Sequence, residues 1–266
     1  MKHILGFSSA EHPKLIFRED GKVGEQTFEG ETRLGFTPSL ACIGYKSDVA
    51  HHACPNRALN AKQCPTCQFQ DVARVYTVGD FTCYPNLYDE CQKETYVLYV
   101  AQFGADLTKL GLTRQMRMHT RWKEQGADFA APLLSFQGPD DAYKAEQLLQ
   151  HTFDLANAVM MRQKISRLKF DKSKAEAKLA KIVERVKSNP AFSSHLYESI
   201  SIHDLSSHYP NVENPEIVDF IGGEIMGAKS DWLFFEGASG QHYAINMRQQ
   251  IGRFATLPQE GAQQLF

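Results

Sequence analysis

Six cysteines (Cys42, Cys54, Cys64, Cys67, Cys83 and Cys91) crowd into one fifth of a chain of 266 residues and occur nowhere else in it. The segment that carries them, residues 42–92, is polar and turn-rich, with too little apolar material for a core of its own. A cross-link other than burial must hold it. Near the N-terminus only Ile4–Phe7 is apolar, against the roughly 7–15 residues of a signal peptide. The longest apolar runs, such as Tyr96–Ala101, fall short of the ~18 residues of a membrane helix. A cytoplasmic protein with no membrane partner is expected, and there clustered thiols point to metal or redox chemistry.

Cys64-Pro-Thr-Cys67 is a CxxC knuckle, a spacing that turns both thiolates towards one tetrahedral ion. Structural Zn²⁺ needs four ligands. Cys42, Cys54, Cys64 and Cys67 are the first-choice set, with Cys91 as substitute and His51 and His52 close by in sequence. Two alternatives stay open: a redox pair at a helix N-terminus, and buried thiols without a ligand.

The rest of the chain reads as an α+β protein. Residues 1–41 form a β-rich region, in which Asp20-Gly21 is a type I′ hairpin signal. A core region, 93–160, has strands over Tyr96–Ala101, Leu107–Leu112 and Ala131–Phe136. Thr113 is placed to cap a helix ending at Gly126, and Pro139 opens a second. That second helix is expected to bury Ala145, Leu148, Leu149, Thr152, Leu155, Ala156 and Val159. Residues 161–190 carry a basic helix over about 172–188, with Ala175, Leu179, Ile182, Val183 and Val186 as its apolar face. Residues 191–266 return to strands. Ile4-Leu-Gly6 with Leu15-Ile-Phe17 resembles Ile225-Met-Gly227 with Trp232-Leu-Phe-Phe235, so the two ends are candidates to pair in one β-domain; coincidence between two apolar hairpins is the alternative.

Tyr99, then Lys109-Leu-Gly-Leu-Thr113, then Arg117 and Arg121, then Glu146 in Lys-Ala-Glu-Gln-Leu-Leu149 make up a pattern over residues 95–160. It resembles the core of the GIY-YIG endonuclease superfamily in its Lys-Ile-Gly-x-Thr variant. The whole sequence is also similar to an uncharacterised microbial family, a domain of unknown function with cysteines before this core. The GIY-YIG resemblance implies a small α/β nuclease core in which Tyr99 helps to activate water. It implies that Arg121 or Arg117 holds the scissile phosphate and that Glu146 binds Mg²⁺ or Mn²⁺. Asn157 becomes a supporting polar residue. The sequence departs from the pattern where Lys109 fills the second tyrosine position and where the usual arginine position, eight residues after Gly111, is His119.

Independently of that resemblance, Arg114, Arg117 and Arg121 fall at i, i+3 and i+7, a cationic stripe if one helix carries all three. The formal net charge of −2 also hides an asymmetry. Residues 144–187 contain eight Lys and three Arg against three Glu and two Asp, a net of +6. Lys174, Lys178, Lys181 and Arg185 form a ridge on the basic helix, which is suited either to a phosphate backbone or to solvent alone. His203 and His208 have zinc-finger spacing, but no cysteine follows Cys91 to complete a site.

The expected partner is therefore DNA or RNA, and the expected activity metal-dependent phosphodiester hydrolysis. A non-catalytic zinc-containing nucleic-acid-binding protein, or a nucleic-acid-modifying enzyme using Lys109 differently, are the alternatives.

Overall fold

The structure is a computed structural model that describes residues 1–153, 155–156 and 158–256; Asn157 lies outside the described residues. The chain opens with strands β1 (His3–Ser8), β2 (Lys14–Glu19), β3 (Lys22–Thr27), β4 (Glu31–Phe36), β5 (Tyr45–Lys46) and β6 (His51–His52). Helices α1 (Pro65–Gln70), α2 (Ala73–Val78) and α3 (Asn86–Lys93) follow. Next come β7 (Thr95–Phe103), β8 (Leu107–Arg114), α4 (Met118–Gln125), β9 (Phe129–Gln137) and α5 (Pro139–Phe153), then α6 (Met161–Ile165), α7 (Lys172–Lys187) and β10 (His203–Asp204). The chain closes with β11 (Glu216–Val218), β12 (Ile221–Lys229), β13 (Trp232–Glu236), β14 (His242–Asn246), the one-turn α8 (Met247–Gln250) and β15 (Ala255–Thr256). It is a mixed α+β protein of two compact units, Met1–Tyr88 with Asn214–Phe266, and Asp89–Glu213. Among the described residues no helix is long and apolar enough to cross a membrane.

The first unit is built from two similar meanders. Asp20 and Gly21 both take positive φ, 49° and 79°, which lets a two-residue turn close β2 on β3. The β1–β2 pairing shifts register between Ile4 and Gly6, and the β12–β13 pairing shifts between Ile225 and Gly227. The same Ile-x-Gly triplet therefore makes a bulge at the start of each meander. Each half then gives its last strand to the other. β4 follows the first meander and pairs with β12, which opens the second. Beyond α8 the chain returns to β1, with Ile4 N donating to Arg253 O at 2.9 Å and Gly252 N to Ile4 O at 2.8 Å. Ile4 and Leu15 from one half and Leu233, Phe235 and Ile245 from the other share one core. Each such side chain contributes about 1.5–3 kcal/mol by leaving water.

The second unit is an antiparallel sheet in the order β10-β9-β7-β8. β7 is central and covered on both faces, which is why it reads as an unbroken apolar run. Tyr96, Leu98 and Val100 face a core shared with α5 and α7, and Val97, Tyr99, Ala101 and Phe103 face one shared with Met118 and Trp122 of α4. The five apolar residues expected of the basic helix are all buried on α7, whose first turn is capped by Asp171 accepting from Lys174 N.

Three local expectations need correction. Thr113 does not cap a helix: β8 runs on to Arg114 because Thr113 and Arg114 pair with Val97 and Tyr96. A 3-10 turn over 115–117 follows, and α4 begins only at Met118. Arg114, Arg117 and Arg121 therefore lie on a strand, a turn and a helix and form no single helical stripe. α5 ends at Phe153, and Leu148 is 53% exposed, since adjacent Leu148 and Leu149 cannot share one helical face. Finally, residues 42–92, read as turns, hold short helices without apolar periodicity: α1, which carries Cys67 of the thiol cluster, then α2 and most of α3.

Candidate functional site

In the first unit, Cys42, Cys54, Cys64 and Cys67 present sulfur atoms that all lie within 4.8 Å of one another. A tetrahedral ion with ~2.3 Å bonds to sulfur requires S···S separations of about 3.8 Å; Cys54 and Cys64 Sγ stand 3.7 Å apart. Local backbone builds the site. Cys64 precedes α1, Pro65 supplies the first helical φ, and the turn brings Cys67 back beside it. Cys42 Sγ accepts from Cys64 N at 3.2 Å and Gly44 N at 3.5 Å, so two amides already face sulfur charge. Burial raises the Cys42 and Cys67 thiols, Cys67 further through its neighbouring thiols. Cys64 is brought down to about 7, chiefly by a hydrogen bond from the Cys67 backbone. Four crowded thiols of this kind lose their protons together only to a cation, and the donor set suits zinc.

The substitute ligand and the neighbouring histidines do not join this cluster. Cys91 is buried on α3 in the other unit, where its thiol lies against the Tyr96 hydroxyl. Cys83 is exposed and meets Phe69 O at 3.5 Å. His51 is taken up by Arg18, 2.8 Å from Nδ1, and burial first and that guanidinium second bring its pKa down to about 4. His52 stacks on Tyr45.

In the second unit the polar residues gather around Tyr99. Its ring is fully buried, and its register partner on β8 is Gly111. A Cβ at Gly111 would come within 2.5 Å of the Tyr99 hydroxyl, so the phenol lies across the strand where a side chain is missing. On the other side, β7 and β9 lose register between Leu98 and Tyr99, which sets Pro132 opposite the tyrosine. Such a bulge re-aims the side chain beside it. Lys109 lies two residues before Gly111, on the same face of β8. α4 contributes Arg121, and α5, lying along β8, contributes Glu146.

These groups sense each other electrically. Burial raises the Glu146 carboxyl above its ordinary value, and Lys109 pulls it back down. Burial and then Arg121 lower the Lys109 ammonium, while Glu146 supports it. Burial pushes Tyr99 up to about 12, against the pull of Arg121. Tyr99, Lys109, Arg121 and Glu146 thus come within electrostatic reach of one another from two strands and two helices. Arg117 is held on Glu124 at 2.9 Å, a carboxylate that also takes Arg121 at 3.5 Å. Arg114 is bound to Glu94 at 3.0 Å.

Two residues of this cluster carry no motif and escaped sequence reasoning. Gln125 is buried at the end of α4, and Trp122 is fully buried one turn before it. Tyr99 Oη, Trp122 Nε1 and Gln125 Oε1 are all buried and make no hydrogen bond. Three such atoms in one apolar cluster call for a ligand, solvent or a chemical task. Their only sequence signal is an i, i+4 relation between Arg121 and Gln125. His119 sits on the exposed side of α4, its ring edge-on to Trp122 at 4.9 Å and to His203 at 5.4 Å.

The α7 ridge divides in two. Lys174 and Lys181 project into solvent. Lys178 Nζ donates to Asp106 O, and the Arg185 guanidinium covers the Phe153 ring at 4.6 Å.

A family model described as protein of unknown function (DUF2797) matches residues 39–253. Nothing among curated proteins or solved structures matches the chain.

Proposed function

This chain belongs to the DUF2797 family, and we propose that it acts on DNA or RNA as a metal-dependent phosphodiesterase of GIY-YIG type, with a zinc-bound cysteine segment. The observation that carries this proposal is the convergence of Tyr99, Lys109, Arg121 and Glu146 around a buried hydroxyl without a hydrogen bond. Two cations beside an unpartnered phenol make a seat for a phosphate, whose equatorial charge they offset in a partly water-excluded place. The supporting order of elements is strand, strand, helix, strand, helix from β7 to α5.

In this mechanism Arg121 binds the scissile phosphate and Lys109 takes up part of the charge that develops on it. Tyr99 remains a neutral phenol at neutral pH, since its pKa lies at about 12, and its hydroxyl orients the attacking water. Glu146 is the carboxylate that would hold Mg²⁺ or Mn²⁺, an ion that polarises the phosphate and stabilises the leaving oxygen. Glu124 keeps Arg121 in place from the solvent side. The cysteine cluster serves folding: it ties Cys42 and Cys54 to the start of α1 in a segment that lacks a core.

The test is incubation of end-labelled DNA and RNA with the protein and Mg²⁺ or Mn²⁺, against Glu146→Ala. Cleavage by the wild type alone is the expected outcome. Retention of either nucleic acid without cleavage would sink the catalytic part and leave a zinc-containing binding protein.

A further inference from the structure

In the first unit, Arg18 on β2 is a half-buried cation that the fold holds by a ring nitrogen rather than a carboxylate. Its Nη2 lies 2.8 Å from His51 Nδ1 and 3.3 Å from His51 O. A guanidinium only donates, so Nδ1 is the acceptor and the imidazole is neutral. An arginine fixed by a carboxylate has its charge offset, whereas one fixed by a neutral ring and a carbonyl keeps the whole of it. Among the described residues Arg18 pairs with no acid, and its Nε and Nη1 hydrogens have no partner. Burial, with no anion to oppose it, draws its pKa down. Lys46 is the register partner of His51 on β5 and β6, so the two side chains leave one face of that hairpin. The exposed Lys46 ammonium is likewise unpaired among the described residues. Asp71 is the carboxylate that His51 senses. It is already taken by the Lys46 and Ala73 N–H groups, at 3.3 and 2.9 Å, and by the Gln63 amide at 2.8 Å.

The sheet itself does not call for a cation at this place. Across the two bulges Ile4 and Phe17 correspond to Ile225 and Phe235, so the next pair, His3 with Arg18, corresponds to Glu224 with Glu236. The second meander thus carries an acid where the first carries Arg18, and Glu236 lies 3.9 Å from His242. Residues that the fold leaves free to vary in sign, yet holds in a set orientation, are expected where a ligand needs them.

We infer that Arg18 and Lys46 form a phosphate seat in the first unit, distinct from the groups around Tyr99, with His51 as the positioning residue that aims the guanidinium without offsetting its charge. The free guanidinium hydrogens donate to phosphate oxygens, and Lys46 adds a second positive charge from the hairpin. That the phosphate belongs to a nucleic-acid backbone rests on the nucleic-acid reading; the seat itself does not.

The experiment uses the ¹⁵N-labelled full chain and the Arg18 Nε–H resonance, assigned by its loss in Arg18→Lys. Inorganic phosphate is titrated against chloride at constant ionic strength, and a saturable shift of that resonance with phosphate is expected. His51→Glu keeps an acceptor for the guanidinium but offsets its charge, and is expected to weaken phosphate binding roughly tenfold or more. His51→Gln, a neutral acceptor, is expected to retain it. Lys46→Gln, whose head group is exposed, is expected to weaken it about threefold by removing one charge. No saturable shift in the wild type, or equal phosphate affinity in the wild type, His51→Glu and Lys46→Gln, overturns the inference. A single-stranded oligonucleotide is then expected to move the same resonance. An oligonucleotide that binds while Arg18 stays unmoved overturns the backbone as the occupant. If phosphate binds at Arg18 and no oligonucleotide is retained, the nucleic-acid reading fails and the seat stands for a free phosphate group.

Discussion

Tyr99 lies across Gly111, its hydroxyl 2.5 Å from where a Cβ on that glycine would be. The two are register partners on β7 and β8, so the contact belongs to the sheet itself. Gly111→Ala therefore cannot be absorbed by a flexible neighbour, because the ring is fully buried against Trp122 at 6.0 Å. The expected result is a loss of about 1–3 kcal/mol in urea unfolding, the usual range for overpacking, together with loss of cleavage. Tyr99→Phe, with no hydroxyl to displace, is expected to keep its stability within about 1 kcal/mol and still lose cleavage, because an unpaired buried hydroxyl stabilises little. Equal destabilisation by both substitutions would show that the glycine is not there to make room for the phenol.

Removal of metal tests the cysteine cluster. One Zn²⁺ per chain is expected on release by a mercurial reagent, read with a metal-sensitive dye, and chelation is expected to lower the Tm. Cys67→Ser, which replaces a fully buried ligand, is expected to abolish stoichiometric zinc. Cys83→Ser and Cys91→Ser should leave one zinc in place, since neither thiol belongs to the group of four. Less than half a zinc in the Cys91 variant would return that residue to the ligand set.

How far these sites were legible in the sequence differs from residue to residue. The four cysteines were readable because thiols in a polar segment have few other uses, and β7 because burial on both faces leaves a continuous apolar run. The start of α4 was not. Thr113 is a good capping residue, yet it is held in β8 by Val97, and local capping chemistry yields to a ladder whose partner lies elsewhere. α1, α2 and α3 were hidden for a related reason: short helices with few buried side chains carry no periodicity. Gln125 is the extreme case. A lone glutamine at a helix end says nothing until the fold buries it. Of the two arginines offered as phosphate ligands, the 3-10 turn that delays α4 leaves Arg117 on Glu124 and Arg121 beside Tyr99.

Glu146 and Lys109 make the acid side of the pH profile informative. Glu146 must be ionised to hold a metal, and burial raises its pKa above the ordinary 4.5 while Lys109 restrains the rise. Lys109→Gln removes that restraint, so the acidic limb of the cleavage profile is expected to move to higher pH. Stability carries the same sign. A carboxyl with a raised folded pKa binds its proton more tightly in the native state, so stability falls as pH climbs from 4.5 through the folded value. Glu146→Gln abolishes this slope, and urea midpoints across that window are expected to fall less with pH than in the wild type. An acidic limb unmoved in Lys109→Gln would mean that the two groups do not communicate.

Salt dependence distinguishes the free cations of α7 from those the fold has already engaged. Lys174 and Lys181 project into solvent, whereas Lys178 is spent on Asp106 O and Arg185 on the Phe153 ring. Each lysine that neutralises a phosphate adds about 0.9 to the slope of log K against log salt on duplex DNA. Lys174→Gln with Lys181→Gln should therefore reduce that slope by roughly 2, measured by fluorescence anisotropy between about 50 and 200 mM salt. Lys178→Gln should change it by less than 1, because that ammonium reaches a phosphate only by leaving its carbonyl. The double variant is also expected to keep the Tm of the wild type, since neither head group touches the core. Equal slopes in the wild type and the double variant would remove α7 from the binding surface and leave Lys109 and Arg121, beside Tyr99, to meet the phosphate.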